Sequence, residues 1–361
     1  MITISLCMIV KNEEKTLPRC LESVGEVADE IIIMDTGSTD ATKEIASRFT
    51  NKIYDFAWID DFSAARNAAF DRATQEYVLW LDADDILRPE DREKFLTLKR
   101  TLAPDVDAVM MLYNTGFDVN GEVTFSYYRE RLSRRDKGFR WVEPVHEYLQ
   151  ISGKIINSDI SITHGKELGG QRTGRNLKIY ENRLARGEAL SPRGMYYYAR
   201  ELKDNQRYED SARQFGAFLD SRLGWVEDNI TACGDQAGCY HMLGEPEKEL
   251  ASLFRSFSFA TPRGEICCRI GYYFKDKNHW QEALFWFKLV LSLQKPKDSW
   301  GFIQHDSWGY VPALECAVCL DRLGQYEQAE QFNEMAAGYK PDSAAVKMNR
   351  EYFQKKKSIH L

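Results

Sequence analysis

Three carboxylates fall within four positions in Leu81-Asp82-Ala83-Asp84-Asp85, directly after the apolar run Tyr77-Val78-Leu79-Trp80. Like charges this close repel unless water, a cation or a proton relieves them. Asp82 and Asp84, two residues apart at the end of a buried strand, can offer oxygens to one hard divalent cation. Mg²⁺ or Mn²⁺ prefers such ligands and keeps positions open for substrate phosphates. A cation held there would neutralise charge on a departing diphosphate. A turn and helix cap before Pro89 is the simpler alternative, because Asp favours both roles. Asp85 is expected to be only the cap of the next element.

Other residues offer complementary chemistry. Thr36-Gly37-Ser38-Thr39 is a turn rich in hydroxyls and free N–H groups ahead of a helix start, suited to hydrogen bonding a ligand, although Ser38 or Asp40 can equally cap that helix. Arg66 sits in a helix of small residues, where it is either a ligand contact or a surface arginine. Cys316-Ala-Val-Cys319 has no second pair to complete a zinc site, so the eight cysteines are expected as buried thiols.

These residues need elements to position them. Over residues 2–82, short β-rich runs alternate with helical segments: strands at 2–10, 30–35, 52–58 and 77–82, helices at 14–24, 39–49 and 61–74. That alternation predicts a parallel sheet covered on both faces, with ligands at the carboxyl ends of its strands. Beyond about residue 175 the pattern is helical and repeats itself, in 197–215, 271–287 and 317–332, with a weaker copy at 239–254. Each copy has an apolar helix, a polar turn, an aromatic (Tyr208, Trp280, Tyr326) and then a small residue (Ala212, Ala283, Ala329). Such paired helices are similar to tetratricopeptide repeats, with 298–312 as an insertion and Pro341 after the last pair.

Composition excludes several classes. The net charge of −7 carries no basic stripe, which argues against a nucleic-acid partner. No apolar run approaches the roughly 20 residues that span a bilayer, and the first residues read as a strand rather than a signal peptide. A cytoplasmic protein is expected.

Taken in order, CMIVKNEE, DTGSTDAT, DFSAARN and LDADD resemble the family 2 glycosyltransferases of GT-A fold, over about residues 3–165. The resemblance implies an α/β GT-A (nucleotide-diphospho-sugar transferase) domain at 1–170. A connector at 171–192 and an all-α tetratricopeptide-like domain at 193–361 follow. It implies that Asp84 holds the divalent cation (Mn²⁺ or Mg²⁺) while Asp82 and Ala83 face the nucleotide. Val10, Lys11, Asn12, Glu13, Asp35 and Ser38 would line the nucleoside pocket, with Arg66 and Asn67 near the diphosphate.

The positions Arg131-Leu132, Val145-His146-Glu147 and Thr163-His164-Gly165 resemble a subgroup that includes sublancin-type peptide S-glycosyltransferases and core-lipopolysaccharide β-glycosyltransferases. An inverting transfer needs a base on the acceptor side, opposite the leaving diphosphate. Glu147 is the candidate, Glu143 the second, and His146 would orient the base or donate to phosphate. His164 would complete the metal shell or contact diphosphate, as imidazole suits Mn²⁺ better than Mg²⁺. Lys166, Gly169-Gly170, Arg172 and Arg175 form a basic stretch that is either a closing lid or a linker.

The expected activity is therefore metal-dependent transfer from a nucleotide-diphosphate sugar, a UDP-sugar first, to a peptide, protein or glycan acceptor. A surface-polysaccharide or lipopolysaccharide-core transferase is the alternative, and a non-catalytic nucleotide-binding adaptor a third. Homodimerisation through the helical half is compatible with the pattern, though no residue argues for it.

Overall fold

The computed structural model describes residues 1–165, 174–296 and 299–359. The chain divides into two compact units, Met1–Ala189 and Leu190–Leu361. Much of the expected connector thus belongs to the first unit. Lys166, Gly169, Gly170 and Arg172 lie outside the described residues.

In the first unit, strands β1 (Ile4–Val10), β2 (Glu30–Asp35), β3 (Ile53–Asp55) and β4 (Tyr77–Trp80) pair in parallel, in the order β3-β2-β1-β4. Helices α1 (Leu17–Val24), α2 (Thr42–Ala46) and α3 (Phe62–Phe70) connect them. The elements are those the alternation predicts, with shorter ends. Proline near the start of α1 favours helix entry there, and Asp61 caps α3 by accepting the Ala64 N–H at 2.9 Å.

The period of two along β1 explains how the sheet is buried. Ile4, Leu6, Met8 and Val10 point into one core with Leu17 and Leu21 of α1, while Cys7 points to the other face with Ala69 of α3. Both faces are covered, so the strands read as continuous apolar runs.

Beyond β4 the sheet is not parallel. After β5 (Asp85–Ile86) and α4 (Pro89–Thr101), strands β6 (Ala108–Phe117) and β7 (Val123–Arg134) form a hairpin. Its short turn is tied by Asp118, which accepts the N–H groups of Asn120 and Glu122. A hairpin of this kind is antiparallel, and β7 lies antiparallel to β4 on its other side as well. Two short strands, β8 (Trp141–Val142) and β9 (Tyr148–Leu149), pair with each other in a separate two-stranded sheet among the described residues. Strand β10 (Ile155–His164) then runs parallel to β6 and antiparallel to β5, and α5 (Arg175–Ala185) closes the unit. The expected parallel sheet is thus one half of a mixed one, because the strands after residue 82 join it through antiparallel pairs of β7 with β4 and β6.

The second unit is built of helix pairs: α6 (Pro192–Asp204) with α7 (Tyr208–Ser221), α8 (Val226–Leu243) with α9 (Pro246–Arg255), α10 (Gly264–Asp276) with α11 (Trp280–Ser292), and α12 (Tyr310–Arg322) with α13 (Tyr326–Tyr339). A last helix, α14 (Ala344–Ile359), ends the unit. Each repeat aromatic begins the second helix of its pair, and Ala212, Ala283 and Ala329 are buried where paired helices approach. Cys316 and Cys319 are buried and unbridged in α12, as are the other six cysteines in their elements.

Candidate active site

The chain leaves β4 through a tight turn. The Asp85 N–H donates to the Asp82 carbonyl at 3.0 Å, and Asp85 Oδ2 accepts the Asp82 N–H at 3.0 Å. Asp85 is therefore not a helix cap. Its side chain is fully buried, and the N-cap position of α4 belongs to Arg88. Asp85 lies instead in β5, directly opposite His164 in the β5–β10 register.

That pairing gathers Asp84, Asp85 and His164 into one cluster, with one ligand atom from each within 4.8 Å of the others. His164 Nδ1 lies 3.5 Å from Asp84 Oδ1, 4.0 Å from Asp85 Oδ1 and 2.8 Å from the Tyr113 hydroxyl. Gly165 follows at once: its N–H donates to the Asp84 carbonyl at 2.8 Å, and Arg19 donates to its carbonyl. A Cβ there would sit 2.6 Å from Ile86 Cδ1 and 3.0 Å from the Asp84 carbonyl, so only glycine lets the chain pass this close.

The electrostatics are uneven. Burial pushes the Asp84 carboxyl above its ordinary value, with Asp82 and Asp85 adding to the effect and His164 opposing it. The Asp85 carboxylate pushes His164 upward against burial, and Asp84 adds to this. Glu13 is raised by burial, with smaller upward pushes from Asp84, Asp82 and Asp40 and a downward one from its bond to Thr16. Burial alone would raise Asp82, yet the Arg66 guanidinium and then Arg131 hold it well below the usual carboxylate range.

Two arginines dominate the surroundings. Arg66 of α3 donates through Nη2 to Asp82 Oδ1 and through Nε to Glu147 Oε1, each at 2.6 Å. Its guanidinium lies 4.7 Å from the ring centre of Trp80 and 4.8 Å from that of Trp141. Arg131 of β7, also fully buried, donates to Asp85 Oδ2 at 2.8 Å and lies 3.9 Å over Trp80 and 4.5 Å over Tyr113. Asp85 Oδ1 keeps no hydrogen-bond partner among the described residues despite its burial. A buried acceptor left bare is costly, and a cation beside Asp84 and His164 would satisfy it.

The loops after β1 and β2 are stitched together. Asn12, at φ 57°, gives its N–H to the Ser38 hydroxyl and accepts from Thr39 N–H, while the Glu13 N–H donates to Thr42. Asp35 Oδ1 accepts the N–H groups of Gly37 and Ser38, both at 2.9 Å. Its Oδ2 is buried without a partner among the described residues, a second bare acceptor at a strand end. Val10 lies opposite Asp35 in the register and is buried, as is Ala83; Lys11 is exposed. Asn67 is engaged elsewhere, its side-chain amide exchanging two hydrogen bonds with the Trp141 backbone, so it pins β8 to α3.

Glu147 is nearly buried beside Arg66, and its carbonyl accepts from Arg129. Glu143 turns instead toward Arg183 of α5, 3.8 Å away. Both Glu143 (φ 72°) and the half-buried His146 (φ 54°) hold left-handed backbone.

Sequence reasoning missed Asp85 as a member of the cluster, and it missed Tyr113, Arg129 and the two tryptophans. Arg129 and Arg131 both lie against Trp80, but the β6–β7 register shifts at Arg131, so the period of two did not by itself bring them together.

Residues 5–152 match the family described as Glycosyl transferase family 2. They form a family 2 glycosyltransferase domain. A TPR repeat-containing protein of Synechococcus elongatus is 40% identical over 153 residues, 42% of this chain and 36% of that protein. The SPbeta prophage-derived glycosyltransferase SunS of Bacillus subtilis is 29% identical over 215 residues, 55% of this chain and 49% of that one. The chain thus spans half or less of the length of these relatives. Among solved structures, a tetratricopeptide repeat protein from Parabacteroides merdae aligns with TM-score 0.39 and 14% identity, covering 50% of this chain and 64% of that one.

Within the glycosyltransferase domain, Asp82–Asp85 and Glu147 fall inside the matched stretch, while His164 lies beyond it. The strand pairing, not the family match, brings His164 to the carboxylates. Among the described residues no helix is long and apolar enough to cross a membrane.

Proposed function

We propose that the protein is an inverting glycosyltransferase that moves a sugar from a nucleotide-diphosphate donor, a UDP-sugar first, to a peptide or protein held by the helical repeats. One observation carries this reading. Arg66 joins Asp82, next to the candidate metal ligands, to Glu147, the candidate base, through two 2.6 Å hydrogen bonds.

Asp84, Asp85 and His164 would hold Mn²⁺ or Mg²⁺, and the bare Asp85 Oδ1 fits that role. When bound, the cation supplies Lewis-acid stabilisation of the departing diphosphate. The bare Asp35 Oδ2 suits a donor hydroxyl or N–H of the nucleoside. Arg66 engages Glu147 Oε1 and leaves Oε2 to take the acceptor's proton as the new bond forms at the anomeric carbon. Trp80 and Trp141 flank the Arg66 guanidinium, their ring centres 4.7 and 4.8 Å away. The name of the Synechococcus relative pairs similar sequence with repeats, and stacked helix pairs make surfaces suited to extended ligands.

The test combines Mn²⁺, a panel of UDP-sugars and acceptors of each class (cysteine, serine and threonine peptides, and a glycolipid). Release of free UDP with a matching mass increase on a peptide is the expected result. Transfer to the glycolipid alone would replace the acceptor class, and a protein that neither binds nor turns over nucleotide would overturn the reading.

A further inference from the structure

The segment that carries Glu147 is held from outside the sheet. Between β8 and β9 it runs through two non-glycine residues in left-handed backbone, Glu143 and His146. Such conformations are strained for residues with a side chain and persist only where the surroundings over-determine them. Part of that determination comes from α5. The Tyr180 hydroxyl, on a fully buried side chain, donates to the Val145 carbonyl at 3.3 Å. One turn on, Arg183 lies 3.8 Å from Glu143. At the start of the helix, Arg175 covers the ring of Phe62 at 4.7 Å, and the Phe62 N–H donates to the Pro144 carbonyl at 2.9 Å.

We propose that α5 is a brace for the segment 143–147, and that Tyr180 and Arg183 are positioning residues that set where the Glu147 carboxylate stands. Neither touches Glu147; both act through the strained backbone before it. The catalytic meaning of the brace rests on reading Glu147 as the base. It gives the stretch after residue 174 a part in the glycosyltransferase domain that a linker would not have. Arg66 and the brace then have separate tasks. Arg66 fixes the carboxylate head, and α5 fixes the chain from which that head projects.

The experiment uses the full chain with Tyr180→Phe, Arg183→Gln and the double variant. Tyr180→Phe keeps the buried ring and removes only the hydroxyl. Hydrogen exchange should quicken at amides 143–149 by about 3–10-fold on loss of the Tyr180 hydrogen bond, the scale of one net hydrogen bond, and by less on loss of the longer Arg183–Glu143 contact. Amides of β1 and β4 should keep their protection, and thermal midpoints should stay within a few degrees. In turnover, kcat should fall, KM for the donor should not change, and Arg183→Lys should recover most of the loss. Unchanged exchange at 143–149 in the double variant would overturn the brace. So would a general loss of protection, which would make α5 an ordinary structural helix. If exchange quickens as expected while the wild type transfers no sugar from any donor, the brace stands and the reading of Glu147 as base falls.

Discussion

Asp85 and Arg131 form an ion pair in which neither side chain reaches solvent, 2.8 Å apart, beneath the candidate metal site. Removing one member of such a pair leaves a buried charge unmatched, whereas removing both can be nearly neutral. Arg131→Met should therefore destabilise the first unit by about 3–5 kcal/mol in urea unfolding. Asp85→Asn combined with Arg131→Met should recover most of that loss. Equal destabilisation by the single and double variants would show that the pair is not what holds the turn.

Cation binding can be read without turnover. Asp84→Asn and Asp85→Asn should each weaken Mn²⁺ affinity by at least the roughly 10–100-fold that even outlying contacts are worth, measured by calorimetry. Asp84→Asn should also abolish sugar transfer while the thermal midpoint stays close to the wild type. Full activity in Asp84→Asn would remove Asp84 from the metal site.

Arg66→Lys keeps the charge but loses the planar fork that spans Asp82 and Glu147. A misplacement of about 1 Å can lower turnover by about 10², and a loss of that size is expected in kcat. Nucleotide binding, followed by thermal shift, should weaken far less.

The fold was legible where one strand follows another by way of a helix. β1 to β4 and the repeat helices stand where apolar periodicity and small residues predict them. The antiparallel β5–β10 pair was not legible, because partner choice between distant strands is a long-range property that local pattern does not contain, whereas the β6–β7 hairpin went unread although Asn120-Gly121 marks its turn.

In the helical unit Asp228 titrates in a useful range. Burial raises its carboxyl to about 6, with Arg193 and Arg200 opposing and Glu227 adding. A raised folded-state value means the proton is held more tightly in the folded chain. The associated stability is fully present below the unfolded value near 4 and is lost as pH rises through about 6. Asp228→Asn should flatten this window and add about 2–3 kcal/mol above pH 7. The check is chemical unfolding followed across pH 4–8.

Gly271 of α10 faces the ring of Phe287 in α11, and a Cβ there would come within 2.7 Å of it. Phe287 is fully buried in the core of the helical unit. Gly271→Val should destabilise the helical unit by about 1–3 kcal/mol or more, while nucleotide binding by the first unit stays intact. Parallel loss of both would mean that the two units do not fold independently.

By itself the sequence determined the chemistry available: three aspartates at a strand end, an arginine on a small-residue helix, a His-Glu pair, and a run of repeat helices. These arise from residue type and from periods of 2 and 3.6, which are local. Only the tertiary structure decided how those residues divide their tasks. Asp85 reads as a cap in one dimension, yet β5 pairing with β10 sets it opposite His164, and Arg131 fixes one of its oxygens while the other stays bare. Glu143 and Glu147 are both candidate bases in the chain, and packing turns one toward Arg183 and the other toward Arg66. Ion pairs act over a few ångströms, and the distances that assign them are set by contacts between residues far apart in sequence.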